Sequence, residues 1–470
     1  MPATSPPKRA CDQCHAVKEK CRRISDSAPC ERCSRLGQEC QTIRSPAKTG
    51  RKPRAAEKIS YSLPVAQSSN CSGTSLQLSK AILANSPTPY NAGLSSNQTI
   101  FADLDEWEKH FLNFMKDVLA PSPLDKFLVG PSFHEAHHTS FVQNLIQPIP
   151  ELRNASVACA AVLFSDRFAE HTNKTMDIGH KRAALAVSSL RCFQISNEKD
   201  LTTMLILSVA MITFAMHVTD GQPYLIAQYT LSIIKSQYQS LINFQSPMMD
   251  LFMCLVSTET FECLLRSKTP AWRLDTSQRG NVIDRYLGLS YPLFPLFFDI
   301  CEAADQLRNC KINQRDGIFV RLMETKAAVD QWYPSPEADF LVRLSRDEVV
   351  TIMTQARILR LAGLLIIHRL RYPFGQHDDE AQRLSRDMIS EFNTVLRITE
   401  RSVPCTSLAY LAACFEAFGD DRRKTALAQI PSVITFSKQA QIKTARLLKS
   451  MWDLRDCQTQ FYWFELGEYF

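Results

Sequence analysis

Six cysteines lie within the first forty residues, and their spacing C-x2-C-x6-C-x8-C-x2-C-x6-C is one three-cysteine unit written twice. They are Cys11, Cys14, Cys21, Cys30, Cys33 and Cys40. Cysteine thiolates are common ligands of structural zinc, which is bound by four ligands in a tetrahedron. Two zinc ions need eight ligand positions, and six thiolates fill eight positions only if two of them bind both ions. The repeat therefore predicts a structural centre of two Zn²⁺ ions, bridged by one equivalent cysteine from each half.

A disulfide framework is the alternative for an even number of closely spaced cysteines. The N-terminal residues MPATSPPKRACDQC contain no apolar segment of the kind found in secretory signals. We therefore expect a reducing compartment, in which the thiols bind metal. The other ten of the 16 cysteines include no C-x-x-C pair and are expected to be reduced and buried.

The cysteine spacing and the stretch CDQCHAVKEKCRR resemble the fungal binuclear zinc cluster family of transcription factors. The resemblance implies that the first cysteine of each half, Cys11 and Cys30, bridges the two zinc ions. The second and third cysteines of each half then complete one site each. It further implies a nuclear protein that binds double-stranded DNA and regulates RNA polymerase II transcription with the transcription machinery or co-regulators.

The segment HAVKEK, between the second and third cysteines, is compatible with a short helix that enters a major groove. The resemblance implies base contacts from this helix, usually to a CGG triplet, and Lys18 stands at a matching basic position. His15 and Val17 differ from the basic residues that the family often has. The basic residues that follow Lys18 are expected to contact DNA phosphates. For each of them, a basic side chain that is simply solvated is the alternative. They are Lys20, Arg22 and Arg23.

A second basic strip, QTIRSPAKTGRKPRAAEK, follows the last cysteine. Arg51, Lys52 and Arg54 are expected to contact phosphates or the minor groove, or to act with Lys8 and Arg9 as a nuclear import signal. Residues 1–58 contain 14 Lys and Arg against 6 Asp and Glu, a net charge of +8, whereas the whole chain of 470 residues has +6. This asymmetry is typical of a polyanion-binding module joined to a nearly neutral domain.

Composition divides the chain into a zinc module over residues 1–58, a Ser, Asn and Pro-rich flexible linker over 59–99, and a large domain over 100–470. The leucines in the linker do not sustain three heptads, so no coiled-coil dimer is predicted and the oligomeric state stays open.

The large domain is predicted to be all-α, because apolar residues recur at helical spacing and strand-like alternation is scarce. Examples are FADLDEWEKHFLNFMKDVLA, EVVTIMTQARILRLAGLLIIHRLR and SKQAQIKTARLLKSMWDLRD. The segments DRYLGLSYPLFPLFFDI, CFEAFGDDRR and SMWDLRD are similar to the helical regulatory domain of the same family. Some relatives sense a small hydrophobic ligand there, although a packed core explains the apolar helices equally well. The last residues, FYWFELGEYF, are expected to form a final core helix, with an activating segment as the alternative.

One segment imitates a membrane span, because 19 uncharged residues lie between Asp200 and Asp220. It contains several hydroxyl residues and lacks a flanking basic cluster, and we find no second such span. We therefore expect a buried helix and no membrane association.

The segment HEAHH fits the H-E-x-x-H pattern of zinc peptidases, with Glu135 as the general base. No suitable third ligand follows, and Ser132 with Glu135 forms an S-x-x-E pattern that predicts a helix capping box. We expect no enzyme activity. Two further alternatives remain: a zinc-dependent interaction or repressor module that does not read bases, and a ligand-sensing regulator of another metabolic pathway. The strip TGRKPR resembles regulators of secondary-metabolite gene clusters.

Overall fold

The computed structural model describes residues 11, 12, 14, 21, 28–37, 39–41, 104–116, 123–168, 172–238, 248–275, 282–336, 340–457 and 460–468. The chain divides into two compact units, Met1–Ser60 and Tyr61–Phe470. The predicted linker, 59–99, lies outside the described residues, and the domain boundaries near residues 58 and 99 stay predictions.

Both units are helical over the described residues, which contain no strand and only an isolated bridge between Asp284 and Gly288. The prediction of a mainly α chain is therefore confirmed. The α-helices are α1 (Glu31–Arg35) in the smaller unit and, in the larger, α2 (Glu106–Lys116), α3 (His134–His137), α4 (Gln143–Leu145), α5 (Pro150–Arg167), α6 (Thr172–Cys192), α7 (Glu198–Met216), α8 (Pro223–Ile233), α9 (Met249–Arg266), α10 (Phe294–Asn309), α11 (Arg315–Gln331), α12 (Phe340–Arg343), α13 (Arg346–Arg371), α14 (Asp378–Thr399), α15 (Ser407–Phe415), α16 (Asp420–Val433) and α17 (Lys438–Cys457).

Helix α5 lies at the centre of one half of the larger unit and packs against α2, α6 and α7. Its small alanine side chains allow a close approach, and Gly179 of α6 lies opposite them. A Cβ atom at Gly179 would lie 3.4 Å from the Cβ of Ala161 and 3.3 Å from the ring of Phe214. The three-helix contact therefore depends on small residues where the backbones come closest.

Two helices in the described part of the chain are long and apolar enough to cross a membrane, α7 and α13. Of their most apolar windows, 78% and 72% of the residues are buried inside the larger unit. The prediction of a buried helix at α7 agrees with this burial. The expectation that no second segment would resemble a span was wrong, because the apolar stretch of α13 is interrupted by few charges.

The N-terminus of α13 joins two distant segments through one carboxylate. Glu348 closes a capping box with Ser345, and it also accepts hydrogen bonds from the N–H and the hydroxyl of Ser132 at 2.7 and 2.9 Å. Burial raises the pKa of Glu348, but the Ser132 and Ser345 bonds outweigh it and lower that pKa. The predicted capping box between Ser132 and Glu135 is wrong, because Ser132 is bonded to α13 instead and Glu135 is exposed.

The segment DRYLGLSYPL forms a tight loop that ties several elements together. Asp284 accepts hydrogen bonds from the backbone of Tyr286 at 2.8 Å and of Leu287 at 3.0 Å. The buried Arg285 pairs with Asp250 of α9 at 2.8 Å. Gln355 of α13 donates to the carbonyls of Tyr286 and of Pro404, both at 2.8 Å. The loop therefore holds α9, α13 and the segment before α15 in fixed positions.

The last described residues pack into the core, as the sequence suggested, but as a 3-10 helix, Trp463–Glu468. Trp463 is fully buried, and its indole N–H donates to the carbonyl of Leu264 in α9 at 2.7 Å. The neighbouring Phe461 stacks on Phe374 with ring centroids 4.9 Å apart. These aromatic residues are therefore part of the folded domain.

A buried arginine lies between α13, α14 and α15. All of the Arg369 side-chain nitrogens are bonded, to Glu416 twice at 2.7 Å, to Asp378 at 2.6 Å, and to the carbonyls of Pro373 and Gln376. Arg369 and Glu416 are 0% and 1% exposed. A buried charge is tolerated only when it is paired and hydrogen-bonded in this way.

We predict that Glu416→Gln destabilises the larger unit by about 3 kcal/mol, because it removes the buried carboxylate that accepts two hydrogen bonds from Arg369 and leaves only the partly exposed Asp378 to balance the charge. Urea unfolding of the full chain, followed by circular dichroism, measures the change. The matched control is Glu380→Gln, which breaks an exposed ion pair with Arg383 and should change stability by less than about 1 kcal/mol. Equal effects of the two substitutions would contradict the assignment.

A second buried acid gives the fold a pH dependence. Glu259 of α9 is 1% exposed and accepts a hydrogen bond from the N–H of Ala271 at 3.0 Å. Burial raises the pKa of Glu259 to about 7, against the lowering effects of Ala271 and Lys235. The folded chain thus retains a proton that the unfolded chain loses above the ordinary carboxyl pKa.

Stability should therefore be greatest below about pH 4.5, as far as Glu259 contributes, and should fall as pH rises to 7. The free energy of unfolding should therefore fall less with rising pH in Glu259→Gln than in the wild type. We predict a difference on the order of 3 kcal/mol. Urea unfolding at pH 5 and pH 8 measures it. Glu324→Gln, at an exposed site on α11, is the control. An unchanged pH slope in Glu259→Gln would refute the prediction.

Candidate metal centre

The six predicted cysteines come together in the smaller unit as two groups of four sulfur atoms. Within each group all sulfurs lie within 4.8 Å of one another. The groups share two members, Cys11 and Cys30. The first group is Cys11, Cys14, Cys21 and Cys30, and the second is Cys11, Cys30, Cys33 and Cys40.

The sulfur separations fit tetrahedral zinc. Cys11 Sγ lies 3.8 Å from Cys30 Sγ and 3.7 Å from Cys33 Sγ, and Cys14 Sγ lies 3.6 Å from Cys30 Sγ. With zinc–sulfur bonds of about 2.3 Å, the edge of a regular tetrahedron is about 3.8 Å. A disulfide would need sulfurs about 2.05 Å apart, so these distances exclude one between the pairs measured. The donor set and its dimensions suit two zinc ions.

Hydrogen bonds repeat the sequence symmetry within the cluster. Cys14 N–H donates to Cys11 Sγ and Cys33 N–H to Cys30 Sγ, both at 3.4 Å. Cys11 N–H donates to Cys21 Sγ at 3.3 Å, as Cys30 N–H does to the sulfur of Cys40 at 3.1 Å. Each C-x2-C segment therefore turns its second N–H toward its first sulfur, which places both shared sulfurs in the same local environment.

Helix α1 provides that turn in the second half. Cys30 is its N-cap residue, with extended backbone, and its sulfur accepts the Cys33 N–H in place of the usual Ser or Asp oxygen. The helix ends before Gly37, whose φ of +60° is the left-handed conformation that glycine adopts readily at a helix end. Gly37 therefore lets the chain turn away after α1, and Arg35 lies exposed in the last turn of that helix.

The hydrogen bonds in the cluster act on the pKa of the two shared sulfurs. Burial raises the pKa of Cys11, but the Cys14 N–H and neighbouring thiols outweigh it and lower the pKa to about 5. The Cys33 N–H is the main cause of the lowered pKa of Cys30. By contrast, burial raises the pKa of Cys14 to about 12. Since the thiolate is the metal-binding form, the N–H groups of Cys14 and Cys33 favour the form of Cys11 and Cys30 that binds metal.

The predicted DNA-binding side chains lie outside the described residues, as does the whole of the predicted helix HAVKEK. The assignment of these side chains to DNA contacts therefore stays a prediction. The side chains are Lys18, Lys20, Arg22, Arg23, Arg51, Lys52 and Arg54.

The H-E-x-x-H segment lies in the larger unit, at α3 and the turn that follows it. His134 contacts Asp125 with Nδ1 and Oδ1 2.7 Å apart, and its ring stacks on that of His138 at 6.3 Å. Among the described residues, only the cysteine groups bring three or more ligand atoms together. The segment thus shows no third ligand for a catalytic metal.

A sulfur-only metal centre in a small basic unit, joined to a large helical unit, is the organisation of a zinc-dependent DNA-binding regulator. A family model described as fungal specific transcription factor domain matches residues 109–468, and one described as fungal Zn(2)-Cys(6) binuclear cluster domain matches residues 9–50. The chain therefore belongs to the fungal specific transcription factor family.

It is a fungal DNA-binding transcription factor with a zinc-binding N-terminal domain. Both families are transcription factor domains and not enzymes. Comparison with curated proteins and with solved structures found no match.

The cysteines of the larger unit differ in exposure. Cys159 and Cys301 are buried, in agreement with the prediction, whereas Cys192 and Cys457 are exposed near helix ends, where the prediction of burial was wrong. Burial raises the pKa of Cys159 to about 12. The chain thus contains exposed and buried thiols outside the cluster, with which the reactivity of the cluster cysteines can be compared.

We predict that iodoacetamide leaves the six cluster cysteines unmodified in the zinc-loaded chain and alkylates them after chelation, because metal-bound thiolates are withheld from reaction. Peptide mapping by mass spectrometry measures each site. Cys192 and Cys457 should react in both states, and Cys159 in neither. Cluster cysteines that react as fast as Cys192 in the presence of zinc would contradict a metal centre.

Proposed function

We propose that the chain is a nuclear, sequence-specific regulator of RNA polymerase II transcription, with residues 1–58 as its DNA-binding module. In this module two structural Zn²⁺ ions are bound by the six cluster cysteines, and Cys11 and Cys30 bridge them. The observation that carries the proposal is the sharing of those two sulfurs between both four-sulfur groups. Sharing is the arrangement that lets six ligands complete two tetrahedra.

Metal binding explains how so short a module folds. A unit of about fifty residues is too small to bury a sufficient apolar core, and zinc supplies the missing folding free energy. The buried residues described in the smaller unit are the cysteines Cys11, Cys14, Cys30 and Cys33. DNA binding should therefore require zinc, and the excess of basic residues supplies the affinity for phosphate.

Sequence selection is assigned to Lys18, whose ammonium group can donate to the O6 and N7 acceptors of guanine in a CGG-type triplet. The basic strip Arg51, Lys52 and Arg54 is assigned to phosphates, where it adds affinity without specificity. Regulation of a secondary-metabolite gene cluster is proposed on the resemblance of TGRKPR alone.

Selection of binding sites from random DNA by the full, zinc-loaded chain tests the proposal. We expect an enriched site that contains a CGG-type triplet, and we expect chelation to abolish binding. Zinc-dependent binding to DNA with no enriched sequence would instead support a module that does not read bases.

Two variants separate base contacts from phosphate contacts. We predict that Lys18→Ala reduces affinity for the selected site about tenfold or more while leaving binding to unrelated DNA nearly unchanged. The triple alanine variant of Arg51, Lys52 and Arg54 should weaken both, and should reduce the slope of log affinity against log salt by about 0.9 for each phosphate that is no longer neutralised. Fluorescence anisotropy over a salt series measures both effects. An unchanged slope would exclude the strip from the interface.

A further inference from the structure

The larger unit contains a partly open cavity of about 290 Å³ among α7, α9, α15 and α17. Its wall includes Ile212, Phe261, Leu408, Leu411 and Leu447. A cavity of about 150 Å³ lined by apolar side chains binds benzene. The volume here is about twice that, so it suits a molecule of about the size of two six-membered rings.

Three hydroxyl groups on the wall, contributed by α7 and α9, are already bonded within their own helices. Thr213 donates to the carbonyl of Val209 at 2.9 Å, and Ser257 and Thr258 both donate to that of Cys254, at 3.0 and 2.7 Å. These side chains therefore have no unsatisfied donor to offer a ligand. To a molecule in the cavity, this part of the wall is effectively apolar.

His137 is the exception. Its ring is 4% exposed and contributes to the cavity wall, and within the described residues its Nε2 has no hydrogen-bond partner. Its Nδ1 lies 3.0 Å from the hydroxyl of Tyr286, which also lines the cavity. A buried polar atom without a partner is destabilising, and a ligand that bonds it recovers that loss.

The chemistry of the pair indicates what the ligand must present. Burial, with a smaller effect from Arg285, lowers the pKa of His137 to about 3, so the imidazole is neutral. Within the described residues the Tyr286 hydroxyl has Nδ1 of His137 as its hydrogen-bond partner. We assign the hydroxyl as the donor, because the opposite direction would leave its buried proton unbonded. The imidazole proton is then on Nε2, which is a donor and needs an acceptor such as a carbonyl oxygen.

We propose that this cavity binds an apolar molecule of two-ring size that carries one carbonyl acceptor, held by a hydrogen bond from His137 Nε2. The side of entry is α17, because Gln439 and Lys443 are half-buried lining residues on that helix. The remainder of the ligand contacts aliphatic and aromatic side chains, so its affinity comes mainly from burial of apolar surface.

The test uses the full, zinc-loaded chain and two probes of the same shape in equilibrium dialysis. The probe 2-acetylnaphthalene carries the carbonyl acceptor, and 2-isopropenylnaphthalene has a CH₂ group in its place. We expect one-to-one binding of the ketone, with the alkene bound about fivefold to tenfold more weakly. Equal affinity for the two probes, or no binding of either, would overturn the proposal.

Three variants locate the site. Ala440→Trp places a large ring in the cavity wall and should abolish binding of both probes, whereas Ser450→Trp, exposed on the same helix, should bind as the wild type does. His137→Phe should bind ketone and alkene equally, at the affinity of the alkene. Undiminished binding in Ala440→Trp would place the probes elsewhere and refute the site.

Circular dichroism confirms that each variant is folded, and if His137→Phe is not, the two-probe comparison in the wild type still decides the question. These measurements are independent of zinc content and DNA binding. The cavity and the DNA-binding module can therefore fail separately.

Discussion

The repulsion between crowded thiolates is the constraint on which the DNA-binding unit depends. Six sulfurs lie in two overlapping groups, with separations such as the 3.6 Å between Cys14 and Cys30. As thiolates at these distances they would repel one another strongly without cations between them. Divalent cations bound between the sulfurs would remove this repulsion, and their binding free energy would add to the stability of the fold. The backbone N–H groups of Cys14 and Cys33 contribute by stabilising negative charge on the shared sulfurs.

The larger unit solves a related problem without metal, because its buried charges are compensated by hydrogen bonds. Glu348 accepts from two serines on different segments, and Arg369 is surrounded by carboxylates and carbonyls. Gln355 ties two loop carbonyls to α13. Each group would destabilise the fold if left unpaired, so each restricts how the helices can pack. Apolar burial supplies the stability, and these contacts select one arrangement.

The two units therefore differ in how they can respond to conditions. The proposed metal centre requires zinc and reduced thiols, and the smaller unit is expected to lose its fold when zinc is removed. The larger unit depends on packing, and its exceptions to tight packing and full pairing are local. The cavity beside His137 is one such exception, and the buried carboxyl group of Glu259 on α9 is another.

Local patterns along the chain were sufficient to predict the clustering of six cysteines, the helical class and the family, whereas the pairing of distant segments required the folded structure. A repeated cysteine spacing specifies a local chelate, and helical periodicity reflects nearest neighbours, so both can be recognised without knowing the fold. The bounds of α13 and α17 follow from the same local signals. By contrast, Ser132 bonds to Glu348, 216 residues away, and not to its local partner. Cys192 is exposed where composition suggested burial, and the unpartnered nitrogen of His137 became recognisable only once several helices enclosed a cavity. Such features depend on which surfaces meet in three dimensions, and that information is not contained in local spacing.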